Sequence, residues 1–137
     1  MKQLKVGFFG EDKEENGESV SKVARRQENG AIIKGFNGND VLVPARPFMR
    51  PCALENAGKW KELFADLIRK HGLSNLQIVF EELSKVVEQD IKDSINSVYT
   101  PPLSKRTLRN RRKHGNTSDK PLIDTGTMIN SVKGKIT

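Results

Sequence analysis

Apolar residues form short runs near both ends of this chain and long periodic stripes at its centre. Residues 4–9 predict a strand bounded by Gly10, and residues 132–136 predict another. We expect these two strands to pair in one sheet. Residues 31–33 and 41–43 flank a turn rich in asparagine and glycine, which predicts a β-hairpin.

Helical spacing dominates the rest of the chain. Ser19 is a predicted N-cap for a short helix through Gln27. A central helix ending at residues 71–72 is predicted by apolar residues at positions i, i+3, i+4, i+7 and i+8, namely Trp60, Leu63, Phe64, Leu67 and Ile68. Ser74 and Gln77 predict a capping box for a second long helix, whose apolar face reaches Tyr99 before two prolines stop it.

The C-terminal third predicts two more helices. Ser104 is a predicted N-cap for a basic helix through about Arg112, and Asp124 for a short helix containing Met128 and Ile129. Together these elements predict one α+β domain over residues 1–137. We expect a small antiparallel or mixed sheet that includes both termini and packs against the two central helices.

Residues 43–51 contain three prolines, which predict a stiff and extended loop. Because a residue before proline avoids the helical region, we expect Val43, Arg46 and Arg50 to be extended. Phe48 then has two interpretations. It either fills the core of its own chain or serves as a preorganised anchor that docks onto another surface.

Charge is unevenly distributed along a chain whose net charge is +7. Residues 11–18 are acidic, and a basic segment near 104–113 contains Lys105, Arg106, Arg109, Arg111, Arg112 and Lys113. Three interpretations remain open for this basic segment. It meets a neighbouring subunit's acidic loop, it faces DNA phosphates, or it is a solvated helix face without a partner.

Composition narrows the class of protein. Hydrophobic residues make up 35% of the chain and charged residues 30%, which is typical of a soluble protein with a thin core. The single cysteine, Cys52, excludes an intrachain disulfide and suits a reducing compartment. Because no signal peptide or membrane-spanning run is visible, we expect synthesis in the cytoplasm and no membrane partner.

Four motifs follow one another in a defined order. They are Glu28 with Gly30, then residues 44–51 (PARPFMRP), then Pro102-Leu103, and finally residues 120–126 (KPLIDTG) with Met128, Asn130, Ser131 and Val132. This order resembles small neck or tail-completion proteins of long-tailed double-stranded DNA bacteriophages. The resemblance spans roughly residues 20 to 137.

The resemblance implies a structural virion protein in a ring at the head-to-tail junction. Its expected partners are further copies of itself in a hexamer or dodecamer, adjacent portal-adaptor or tail-terminator proteins, and DNA passing through the channel. The expected location is the virion neck, assembled in the host cytoplasm. A small nucleic-acid-binding module is the alternative, although an aromatic content of only 6% speaks against single-strand binding by stacking.

Three groups of residues are the candidate site under this interpretation. Residues 105–113 are a lumen or inter-subunit element, and Asp124 with Gly126 is a structural cap. The docking loop has Phe48 as its anchor and arginines on its polar rim, and its members are Pro44, Arg46, Pro47, Phe48, Met49 and Arg50.

Residues 122–127 (LIDTGT) also match the catalytic loop of aspartic proteases, where two carboxylates share a proton. Only eleven residues follow Gly126, which leaves no chain for the flap and the strands of such an enzyme. Neither histidine lies at metal-ligand spacing, and Cys52 has no histidine partner in helical phase. We therefore expect no enzymatic activity, no cofactor and no metal.

Overall fold

A computed structural model describes residues 2–14, 16–35, 37–99, 101–123 and 126–137. Within these ranges, no helix combines the length and the apolar character that crossing a membrane requires. The strands are β1 (Leu4–Gly7), β2 (Ala31–Lys34), β3 (Asp40–Val43) and β4 (Lys133–Ile136). The helices are α1 (Val20–Asn29), α2 (Met49–His71), α3 (Leu76–Ser97), α4 (Lys105–Lys113) and α5 (Thr127–Asn130), with a 3₁₀ turn at Leu73–Asn75. The predicted α+β class is confirmed.

The core lies between α3 and the elements that pack on it. The predicted stripe of α3 is confirmed, since its buried apolar residues are Val79, Phe80, Leu83, Val87, Ile91 and Ile95. Helix α2 packs along α3, and the rings of Phe64 and Phe80 stack with centroids 5.8 Å apart. The indole Nε1 of Trp60 donates a hydrogen bond to Asp90 at 2.7 Å, so the α2–α3 contact combines apolar packing with a polar link.

Both ends of the chain meet in one antiparallel sheet, as predicted. Strand β1 pairs with β4, and Leu4 lies opposite Ile136. This sheet packs on α3, where Glu88 accepts hydrogen bonds from the Gly134 backbone N–H at 2.7 Å and from Ser84 Oγ at 2.9 Å. The carboxylate of Glu88 therefore ties the C-terminal strand to the central helix.

Strands β2 and β3 form a separate two-stranded sheet, which confirms the predicted hairpin. Ile32 pairs with Leu42 and Ile33 with Val41 across its two strands. Phe36 lies outside the described residues.

Three helix boundaries differ from those predicted. The capping box of Ser74 and Gln77 is wrong, because residues 73–75 form a 3₁₀ turn and α3 begins only at Leu76. Gln77 instead bonds the side chains of Lys2 and Glu81. Helix α3 ends at Ser97 rather than Tyr99, since Val98 is already extended. Helix α1 continues two residues past Gln27, to Asn29.

The two C-terminal helices form near their predicted positions. Ser104 Oγ accepts a hydrogen bond from the Thr107 backbone N–H at 3.1 Å and caps α4, as expected. Helix α5 contains Met128 and Ile129, and Gly126 occupies its N-cap position. Asp124 lies outside the described residues, so its predicted capping role stays a prediction.

The close approach of β4 to α3 predicts that Gly134→Ala destabilises the domain. A Cβ at Gly134 would overlap Ser84 Oγ and lie 3.1 Å from Ser84 Cβ, so one layer must move. We expect a decrease of about 1–3 kcal/mol in the free energy of unfolding, measured by urea denaturation. Combining it with Ser84→Ala should recover part of this decrease.

Gly58→Ala is the matched control, because Gly58 lies inside α2 with open space around its Cβ position. It should stabilise the protein by about 0.5–1 kcal/mol, as alanine does in a helix interior. Equal effects of the two substitutions would contradict the packing described at Gly134.

Candidate functional site

The N-terminus of α2 is capped by a side chain from another helix. Glu28, in the last turn of α1, accepts hydrogen bonds from the backbone N–H groups of Phe48, Met49 and Arg50 at 2.8, 2.9 and 3.0 Å. These donors have no carbonyl partner within the helix, and the positive end of the helix dipole favours an anion there. Glu28 therefore joins the predicted docking loop to α1.

The electrostatics of Glu28 reflect this contact. Glu28 is only 8% exposed, and burial alone would raise the pKa of its carboxyl group. The backbone N–H groups of Phe48, Arg50 and Met49 outweigh burial and hold the pKa below its ordinary value of 4.5. Glu28 is thus ionised inside the protein, since the charged form receives the hydrogen bonds.

The turn after α1 lies against the same loop. Gly30 has φ of +75°, and a Cβ there would lie 2.9 Å from the carbonyl oxygen of Val43 and 3.0 Å from the nitrogen of Ala45. The Arg46 backbone N–H donates to the Gln27 carbonyl at 2.7 Å. Gly30, the glycine of the motif that pairs Glu28 with Gly30, is therefore required both by its backbone conformation and by the close approach of Val43 and Ala45.

Arg46 was predicted to lie on the polar rim of a docking loop, and this is wrong. Arg46 is only 6% exposed. Its Nε donates to the Pro101 carbonyl at 2.7 Å and its Nη2 to the Pro102 carbonyl at 3.3 Å. Burial and the nearby charge of Arg111 lower the pKa of Arg46. The side chain holds the segment between α3 and α4 in place.

Phe48 was predicted to anchor an intermolecular contact, and the structure corrects this as well. The residue is 1% exposed and belongs to the core. Its ring contacts Phe8 edge-on at 5.9 Å between centroids, and its carbonyl accepts a hydrogen bond from Ser94 Oγ at 2.6 Å. Apolar burial within the chain leaves no free ring to dock elsewhere.

The remaining members of the predicted loop divide between two environments. Pro47 and Arg50 are exposed, whereas Pro44 and Met49 are half-buried. Arg50 lies in the first turn of α2 and is not extended as expected. Pro51 follows it without breaking the helix, because a first-turn nitrogen needs no helical hydrogen bond. A contact between another protein and the exposed Pro47 and Arg50 stays a prediction.

Arg111 was grouped with the surface cations, but it is buried. Its guanidinium donates to the carbonyls of Lys120 and Ile123 at 2.9 Å each, and to those of Ser118 and Pro121 at 3.3 and 3.2 Å. A guanidinium carries five N–H donors in a rigid fork, so one side chain can organise an irregular segment. Arg111 therefore supports the backbone of the KPLIDTG motif.

The other cations of the basic segment are exposed on α4. They are Lys105, Arg106, Arg109, Arg112 and Lys113. Among the described residues, no carboxylate forms an ion pair with any of these five cations. Arg106, Arg109 and Lys113 line a shallow cleft of about 470 Å³ together with Thr107 and Asn110. This face presents positive charge and hydrogen-bond donors to solvent.

Two carboxylates of the acidic loop are paired within their own chain, whereas one interpretation required them to meet a neighbouring subunit. Glu11 contacts Lys135 and also Lys133 at 3.3 Å, and Asp12 contacts Lys133 at 2.9 Å. The hydrogen bond from Lys135 is the main reason that the pKa of Glu11 falls to about 2. These carboxylates are paired with β4 of their own chain.

The hairpin is a surface that the sequence interpretation missed. Its strands contain consecutive apolar residues, a pattern that usually predicts burial on both faces. Ile32 is nevertheless 70% exposed and Leu42 73% exposed. One feature of the sequence could have indicated this exposure: the short hairpin lies by itself between a glycine turn and the proline-rich loop.

Among the described residues, no cluster of histidine, cysteine and carboxylate side chains is arranged to hold a metal ion. Comparisons of the chain with protein-family models, curated proteins and solved structures gave no match.

The capping contact predicts that Glu28→Gln destabilises the protein by about 1–3 kcal/mol at neutral pH, because the amide lacks the charge and one acceptor. The folded-state pKa of Glu28 is lowered, so its stabilisation is complete above pH 4.5 and disappears as the pH falls through the lowered value. The difference between wild type and variant should shrink below pH 4.5. Urea denaturation across pH checks this, with the exposed Glu62→Gln as a control that should change little.

The core position of Phe48 predicts that Phe48→Ala lowers the free energy of unfolding by about 3–5 kcal/mol. Leu54→Ala, at a residue that is 83% exposed, should have little effect on thermal melting. Unchanged melting of the Phe48 variant, together with a failure to assemble, would restore the docking interpretation.

Proposed function

We propose that this protein is a structural component of the head-to-tail connector of a long-tailed double-stranded DNA bacteriophage. In this role it forms a ring that joins the tail to the DNA-filled head. Its partners are further copies of itself and an adjacent portal-adaptor or tail-terminator protein. The protein acts by assembly and not by catalysis.

The observation that carries the proposal is that hydrogen bonds link three of the four motifs of the resemblance to one another and tie the fourth to the basic segment that precedes it. Glu28 caps the helix that begins in the PARPFMRP motif, Arg46 of that motif holds the carbonyls of Pro101 and Pro102, and Arg111 holds those of Lys120 and Pro121. Motifs far apart in sequence thus form one scaffold. These hydrogen bonds give a physical reason for the motifs to occur together in one fold, which supports the resemblance.

Exposed apolar side chains also favour a protein that works by assembly. Leu54, Leu73, Ile32 and Leu42 are each at least 70% exposed. Scattered apolar residues are normal on a monomer. Two of these four pair directly in the hairpin, and contiguous exposed apolar surface typically marks an interaction site.

A phage genome that encodes this chain provides the test. Deleting the gene should give DNA-filled heads and finished tails that do not join, as seen by electron microscopy. Expressing the wild-type protein in the same cells should restore joined particles that contain it, as measured by mass spectrometry. Joined, infectious particles without the protein would contradict the proposal.

The exposed cations of α4 favour a second candidate, a nucleic-acid-binding module. In that case the isolated protein should bind duplex DNA with an affinity that falls steeply with salt, because phosphate contacts release counterions. Changing Arg106, Arg109 and Lys113 to glutamine should weaken this binding and reduce the salt slope by roughly one for each phosphate that is no longer neutralised. Tight DNA binding by a protein that is absent from particles would favour the module.

A further inference from the structure

The β2–β3 hairpin exposes apolar side chains on both of its faces. Ile32 and Leu42 are a cross-strand pair on one face, and Ile33 and Val41, which are 37% and 44% exposed, are the pair on the other. A two-stranded hairpin with both faces in water is at best marginally stable. Edge strands of monomers usually carry lysines or prolines that block association, and these strands contain one lysine, Lys34, and no proline.

The base of the hairpin is held in a defined position. Gly30 brings the end of α1 against Val43 and Ala45, and the Arg46 N–H bonds the Gln27 carbonyl. Both strands therefore leave the scaffold from one fixed point, next to the cap formed by Glu28. A projection with a rigid base loses less conformational entropy on binding than a free loop does.

Charge indicates what kind of partner the hairpin fits. The chain as a whole carries +7, but residues 31–43 contain only one lysine and one aspartate, and Lys34 Nζ lies 2.7 Å from Asp40 Oδ1. The hairpin is thus electrically neutral on a basic protein. Nucleic acid has nothing to pair with there, whereas a second copy of this chain can approach it with little repulsion.

The same chain also contains a partly apolar cleft of a size that suits such a projection. The cleft, about 440 Å³, lies where β1 and α1 meet the start of α2. Its apolar lining includes Val6, Phe8, Phe9, Ala24 and Met49, and its polar lining is Lys5, Ser21, Arg25, Glu28 and Asn29. A hollow of this volume accommodates a few aliphatic side chains. The chain therefore carries a projecting apolar surface and a recess with apolar walls that can receive it.

We propose that the hairpin of one copy packs its Ile32–Leu42 face into the β1–α1–α2 cleft of a second copy. This contact is heterologous within each pair, because different patches meet. The inference rests on the proposed function for its partner, a neighbouring copy in an assembly. Its chemistry is apolar packing of Ile32 and Leu42 against the apolar lining of the cleft.

The full-length protein provides the test, with self-association measured by native mass spectrometry and light scattering over a range of concentrations. Wild type should associate, and the double variant Ile32→Thr with Leu42→Thr should associate about tenfold more weakly or not at all. Threonine keeps the β propensity of these positions, and both side chains are exposed, so circular dichroism should stay unchanged. A strictly monomeric wild type, or a double variant that associates like wild type, would overturn the inference.

The matched control is Leu54→Gln with Leu73→Gln, which removes two equally exposed leucines away from the hairpin. This control should associate like wild type, and an equal weakening would show that general stickiness, not the hairpin, drives association. To locate the contact, a Leu42→Cys protein is mixed with a Phe9→Cys protein and oxidised. A disulfide-linked pair containing one chain of each kind supports the cleft as the receptor, and its absence overturns that assignment.

These results are separable from those of the proposed function. Hairpin-dependent association of a protein that proves absent from phage particles leaves this inference standing and rejects the neck role. Association that is unaffected by the hairpin variant, in a protein required for head-to-tail joining, does the reverse.

Discussion

A single carboxylate, on Glu28, determines where the long helix α2 begins. It accepts the backbone N–H groups of Phe48, Met49 and Arg50, so the last turn of α1 and the first turn of α2 form one unit. This placement buries the Phe48 ring in the core, and the hairpin forms the connection along the chain between the two helices. Because the carboxylate is buried and ionised, removing any one of its donors would leave its charge poorly compensated.

Two buried guanidiniums likewise hold backbone groups in place, in segments without regular structure. Arg46 bonds the carbonyls of Pro101 and Pro102, and Arg111 bonds those of residues 118, 120, 121 and 123. Lysine could not replace either side chain, because its ammonium lacks a planar fork of donors. The protein thus compensates for a thin core with charged groups that organise the backbone, and each of them belongs to or contacts a motif that the resemblance singled out.

Local patterns predicted most of the secondary structure, including the pairing of the two terminal strands, because spacing and caps act over a few residues. The cap by Glu28 was not predictable, since twenty residues separate it from Phe48 and no local pattern links them. An aromatic residue in a stiff loop predicts burial without saying against which surface, so Phe48 was assigned to the wrong one. Arg111 looked like its charged neighbours, although its position three residues after the half-buried Leu108 places it on the inner face of α4.

The sheet of β1 and β4 brings the two described ends of the chain side by side. Gln3 and Thr137 exchange backbone hydrogen bonds in both directions, at 2.8 and 2.9 Å. A few linking residues could therefore close the backbone into a circle, and the chain could then be opened in an exposed turn such as residues 114–115. Labels attached at Gln3 and at Thr137 would therefore lie next to each other.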